Sequence, residues 1–218
     1  MSEHLQHNRI ELALHTLRAP EGRAGEGRPL LLLHGLGERS PARAPDEYSA
    51  WPGPLYALDF TGHGNSSIPR GGGHTCELLM ADAAVALHRL GQATLVGRGL
   101  GAYVALLLAG ARPKQVRGAI LRDGPGLAGG GSGLSSPFIP VADETQLAPP
   151  DPFALVELAT DIRPPDYACI FARLAAQLSE LRHPVTVCAR ERPSWLEAVI
   201  KELDVEMIGL PAALERYA

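Results

Sequence analysis

At 218 residues the chain is long enough to bury one α/β core and short for two domains. Its apolar share of 45% and charged share of 20% are ordinary for a globular protein. A net charge of −4 gives no electrostatic reason to expect nucleic acid or an anionic membrane as partner.

The amino terminus is polar and lacks the apolar core of a leader peptide, so a cytoplasmic location is expected. Residues 10–17 predict a first, edge strand, and residues 19–27 a loop rich in Gly, Pro, Arg and Glu. Residues 30–33 are four consecutive leucines ending at a turn, the pattern of a strand buried on both faces. Residues 38–52 have scattered prolines and no period, which predicts a long loop carrying a short helical turn. A strand over 55–60 follows, then a glycine-rich loop over 61–73. Thr75 is placed to cap a helix whose stripe is Leu79, Ala83, Ala86 and Leu90, with Gly91 as its stop.

Residues 93–96 form an apolar run that enters a turn with glycine at 97, 99 and 101. The helix leaving that turn, to about Ala111, is apolar nearly all round and should be central. A strand is expected over 116–121, and then a Gly, Ser and Pro stretch over 127–150 with few strong apolar positions. Two helices are expected next, one over 152–160 and one from an N-cap at Asp166 through Leu181. A strand over 185–189 precedes a helix that Ser194 and Glu197 would open as a capping box. A last strand over 205–210 and a short helix to Ala218 end the chain. This alternation predicts an α/β fold with a mostly parallel sheet and helices on both faces.

Strand, tight glycine turn and buried helix are the layout of a nucleophile elbow, G-x-S-x-G. Here those positions read Gly97-Arg98-Gly99-Leu100-Gly101, with glycine in the nucleophile's place. Two further stretches accompany it in order. His34-Gly35-Leu36-Gly37 follows the leucine strand, and Asp59, Gly62, Gly64 and Ser66 spell D-x-x-G-x-G-x-S. Together the three pieces resemble the α/β-hydrolase superfamily, over about residues 10–124. The resemblance implies one α/β-hydrolase-like domain over 1–218, with a reduced cap at about 125–182.

It also implies where a triad should sit, in the order nucleophile, acid, histidine. The nucleophile position is Gly99. The acid turn reads Arg190-Glu191-Arg192-Pro193, and no histidine follows His183. All three side chains are therefore missing together. Asp123 is the one possible acid, since some relatives place it after the earlier strand, and its plainer role is to cap a loop. His34 and His63 are expected to be structural, while His74 should face the pocket or solvent. No histidine pair has metal-ligand spacing with a carboxylate partner, so neither a metal nor another cofactor is expected.

What the resemblance preserves is an oxyanion-type pocket, with the N–H groups of Leu36 and Leu100 converging at a helix start. Glycine at 99 should enlarge its floor. The expected ligand-binding residues are His34, Gly35, Leu36, Arg98, Gly99 and Leu100. The reading is a non-hydrolytic homologue that binds a small molecule or a partner protein, with an oligomer as an option. One alternative is a lyase, isomerase or cyclase drawing acid–base chemistry from Asp123, His34, His63 or His74. Another is a hydrolase with an unrecognised triad, for which Ser66, Ser132 and Ser194 are the serines to check.

Overall fold

The computed structural model describes residues 2–20, 27–69, 71–131, 142, 145 and 148–218. Among these residues seven strands form one sheet: β1 (Ser2–His7), β2 (Ile10–Arg18), β3 (Leu30–Leu33), β4 (Leu55–Leu58), β5 (Ala93–Arg98), β6 (Val116–Arg122) and β7 (Val185–Val187). Their order is β1-β2-β4-β3-β5-β6-β7; β1 and β2 run antiparallel to their neighbours and all later pairs are parallel. The sheet is thus the mostly parallel one expected. Its edge is not residues 10–17 but β1, which pairs with β2 along its whole length. The polar alternation of Ser2–His7, half exposed, hides this strand from a search for apolar runs.

Among the described residues six α-helices accompany the sheet: α1 (Cys76–Leu90), α2 (Leu100–Ala111), α3 (Pro152–Thr160), α4 (Pro165–Leu178), α5 (Ser194–Leu203) and α6 (Leu210–Tyr217). The Thr75 hydroxyl accepts the Leu78 N–H and Gly91 ends α1, as capping chemistry predicts. Helix α5 differs at its start. Its N-cap is Pro193, and Ser194 makes no capping bond. The strand expected over 205–210 is reduced to a single bridge between Val187 and Met207. Glu206 stands in the middle of that run and the flanking residues stay half exposed, so a full strand there gains little from burial.

Helix α2 is the centre of the larger core. It is wedged between β3, β5 and β6 on one side and α4 on the other. Small residues allow the approach: a side chain on Gly110 would lie 2.5 Å from the Phe171 carbonyl oxygen of α4. Helix α4 buries Ala168, Cys169, Ala172 and Ala175 there. The second helix expected in the cap packs chiefly on α2 and α5. The opposite face is thinner. Leu32, Ala57, Val96 and Ile120 share a smaller cluster with Tyr48, Trp51 and residues of α6. The crossover from β3 to β4 supplies a lone 3₁₀ turn, Asp46–Tyr48, where a parallel connection usually carries an α-helix.

Candidate functional site

The turn between β5 and α2 has the backbone of an elbow. Gly99 sits at φ 57° and ψ −118°, a conformation that L side chains rarely adopt. Directly after it, the Leu100 N–H points out of the helix start. Across the gap from β3, the Leu36 N–H converges on the same point.

That point is already occupied. The Pro125 carbonyl oxygen accepts the Leu36 N–H at 3.0 Å and the Leu100 N–H at 2.9 Å. Two donors on one carbonyl oxygen fill both of its lone pairs and leave neither N–H for a ligand. The same segment sits on the nucleophile position. A Cβ on Gly99 would stand 2.1 Å from the Pro125 oxygen and 2.6 Å from the Gly124 carbonyl carbon. The expected enlarged floor is instead closed, because glycine at 99 lets the 124–127 backbone descend onto the turn.

Several elements hold this plug down. The Gly99 N–H donates to the Arg122 carbonyl at 3.0 Å, tying the turn to the end of β6. Asp123 accepts N–H bonds from Arg190 and Glu191 at 2.8–2.9 Å, joining the ends of β6 and β7. Its carboxylate thus caps a loop, and Glu191 itself is exposed. On the far side, the Arg163 guanidinium donates through Nη1 to the Gly126 and Leu127 carbonyls. Trp195 Nε1 adds a second bond to the Leu127 carbonyl at 2.9 Å. Arg163 is fully buried and lies over the Tyr103 ring, its guanidinium carbon 4.9 Å from the centroid. Nothing in the sequence marked it; a lone arginine before two prolines reads as surface.

Two histidines, His34 and His63, are spent on the backbone. His34 Nε2 accepts the Phe60 N–H at 3.1 Å, and its Nδ1 lies 2.7 Å from the Gly35 carbonyl oxygen. His63 Nε2 accepts the Gly37 N–H at 3.2 Å, and its Nδ1 meets the Thr61 carbonyl at 3.1 Å. Each ring is therefore the neutral Nδ1–H tautomer with no free lone pair for proton transfer. Burial lowers both pKa values, that of His63 to about 4, helped by neighbouring His34. His74 is turned away from solvent: its side chain is fully buried, with Nε2 2.8 Å from Asp151. That pair ties the start of α1 to the N-cap of α3.

The D-x-x-G-x-G-x-S segment is structural in the same way. Asp59 receives the Ser40 and Asn65 N–H groups and His15 Nε2 at 2.7–2.9 Å. The Ser66 hydroxyl donates to the Asp59 carbonyl at 2.6 Å and accepts the Ala13 N–H at 2.9 Å. It is unavailable as a nucleophile. Ser194 sits at the start of α5, and Ser132 lies outside the described residues.

The expected ligand-binding residues thus divide. Gly35, Leu36, Gly99 and Leu100 are packed under residues 124–126. His34 and Arg98 instead reach a cavity of about 480 Å³ under the 38–48 loop, whose walls include none of those four. Among the described residues no group of three His, Cys, Asp or Glu is placed to hold a metal ion. Nor is any helix there long and apolar enough to cross a membrane. Cys76 and Cys169 are buried and Cys188 is half-buried, with burial pushing the thiol pKa up at each.

No family model and no curated protein matches the chain. Solved structures do. The thioesterase domain from the curacin biosynthetic pathway is 16% identical with a TM-score of 0.64, over 99% of this chain and 95% of that one. Est1E from Butyrivibrio proteoclasticus, solved with ferulic acid bound, is 15% identical with a TM-score of 0.67, over 98% and 95%. A hypothetical protein from Pseudomonas aeruginosa PAO1 is 19% identical with a TM-score of 0.64, over 95% and 89%. At these identities the likeness shows the fold, and the fold is that of an α/β-hydrolase.

Proposed function

We propose that this α/β-hydrolase fold serves a non-hydrolytic protein, one that binds a small molecule or a partner protein instead of turning over an ester. The observation that carries the reading is the Pro125 carbonyl, which takes both N–H groups that an oxyanion would need. Catalysis of acyl transfer depends on those donors being free when charge develops on the substrate oxygen. Here they are engaged in the resting fold, over a glycine that cannot attack. The plug is also anchored by Asp123, Arg163 and Trp195, so opening it means breaking several hydrogen bonds at once, those of Arg163 and Trp195 to the Leu127 carbonyl being buried.

The acid–base alternative draws on less. His34 and His63 have no free nitrogen, and the His74–Asp151 pair is shut away from solvent and from the cavity under the 38–48 loop.

A panel of short-chain fluorogenic esters and thioesters tests the proposal on purified protein. The native chain and Gly99→Ser are both expected to stay at the buffer rate. Turnover by the native chain at ordinary enzyme rates, about 1 s⁻¹ or more, that is abolished by substitutions around residues 98–100 would overturn it.

A further inference from the structure

The cavity under the 38–48 loop is not the space above the elbow. It opens on the opposite face of the sheet, where the β3-to-β4 crossover lacks a full helix. Its floor is apolar, formed by Leu32, Ala57 and Val96, with the Tyr48 ring beside them. At about 480 Å³ it has the size of a small-molecule site. It also lies at the carboxyl ends of β3, β5 and β6, where open α/β sheets bind ligands.

Its rim is charged. Arg98 and Arg122 come from the last residues of β5 and β6, and Arg39 from the loop. Arg98 Nε is bonded to Glu38 at 3.0 Å, and Arg122 grips both Glu47 oxygens at 2.7 and 3.0 Å. These pairs hold the loop over the cavity. Arg39 is exposed and has no ion-pair partner among the described residues. Three arginines against two glutamates leave one positive charge over, and buried His34 adds none, because burial lowers its pKa. In a chain of net charge −4 this is a local excess of the opposite sign. An apolar body and one negative charge are what such a hollow complements.

We propose that this cavity binds a small organic monoanion, a carboxylate on an apolar or aromatic body, with the body on Leu32, Ala57 and Val96 and the carboxylate at Arg39. The proposal rests on reading the chain as a binder and gives that reading a site and a ligand class.

Calorimetric titration of the full chain with 3-phenylpropanoate at low salt, beside its neutral amide, tests it. A dissociation constant of about 1 mM is expected for the carboxylate, the range for a ligand of so few atoms. The amide should bind about tenfold more weakly, as should the carboxylate to Arg39→Glu, the native side chain being exposed and without an ion-pair partner among the described residues. Ala57→Phe should abolish binding by filling the floor. Carboxylate binding should also shift the methyl resonances of Ala57 and Val96, which locates the ligand without relying on any variant. Overturning results are no binding at 10 mM or about that level, equal affinity for the amide, or binding that leaves those methyls unmoved. An ester assay on the same sample separates the two proposals. Turnover together with anion binding at Ala57 sinks only the non-hydrolytic reading, whereas inertness without anion binding sinks only this one.

Discussion

On the α2 side of the strand ends, the N–H groups of Leu36, Gly99 and Leu100 are all taken by backbone carbonyls. On the α6 side of the same strands, the 38–48 loop spans a hollow and Arg39 has no ion-pair partner among the described residues. The two regions share β3 and β5, and His34 and Arg98 stand between them. What differs is the element packed on top. Residues 124–127 fit the elbow because Gly35, Gly99 and Gly126 present no side chains to obstruct them. The 38–48 loop, with Pro41 and Pro45, cannot form the helix that would fill the other face. The elbow turn is thus the closed half of the pair, and the crossover the more open one.

The sharpest way to break this contrast is Gly99→Ser. Its Cβ would meet the Pro125 carbonyl at 2.1 Å and keep a positive φ, so the plug must shift or the turn must strain. A loss of about 4 kcal/mol is expected, read as a fall in Tm of roughly 10 °C, with no gain of esterase activity. A stability unchanged from the native chain would mean that the plug is loose. Arg163→Ala comes next, because it removes the guanidinium from two buried carbonyls and leaves a void beside Tyr103. We expect a loss of about 3 kcal/mol. The amide protons of Leu36 and Leu100 should then exchange faster with solvent, and unchanged protection of both would show that Arg163 does not hold the plug.

Acid should act through His63. Its folded pKa, about 4, lies below the ordinary 6.5, so the fold favours the neutral ring. The unfolded chain takes up the proton first as pH falls below 6.5, and stability is lost from there down to about pH 4. Between pH 7 and pH 5 the decline should be about 2 kcal/mol, seen as a lower urea midpoint. His34, whose pKa burial also lowers, acts in the same direction. His63→Gln should flatten the slope while lowering stability at pH 7; an unchanged slope would exclude His63 as its source. The smallest effect belongs to Arg39→Ala, which should move stability by less than about 0.5 kcal/mol. A larger change would mean that Arg39 supports the loop and is not spare for a ligand.

Much of the architecture was legible because burial leaves periodic traces. The four leucines of β3, the cap and stripe of α1 and the all-round apolar α2 each fell within a residue or so of their expected place. Strand β1 was not legible, since an edge strand can be stabilised by its hydrogen bonds to β2 with few apolar side chains. The run over 205–210 erred the other way: Val205, Ile208 and Leu210 pack only in part against the core, and one bridge forms in place of a strand. At the site, the sequence alone put glycine at 99 and no histidine after His183, because the presence of a side chain is a local fact. It also placed the Leu36 and Leu100 N–H groups together, through the turns that present them.

What only the tertiary structure decided was what those groups bond to. Pro125 lies 25 residues beyond Leu100 and 89 beyond Leu36, in a stretch whose composition reads as a plain loop. Its carbonyl belongs to the backbone, which every residue carries alike, so no residue type signals its role. The same holds for Arg163 and for the hollow above Ala57. Both depend on the distance between surfaces brought together by the fold, a quantity that packing sets and local sequence does not encode.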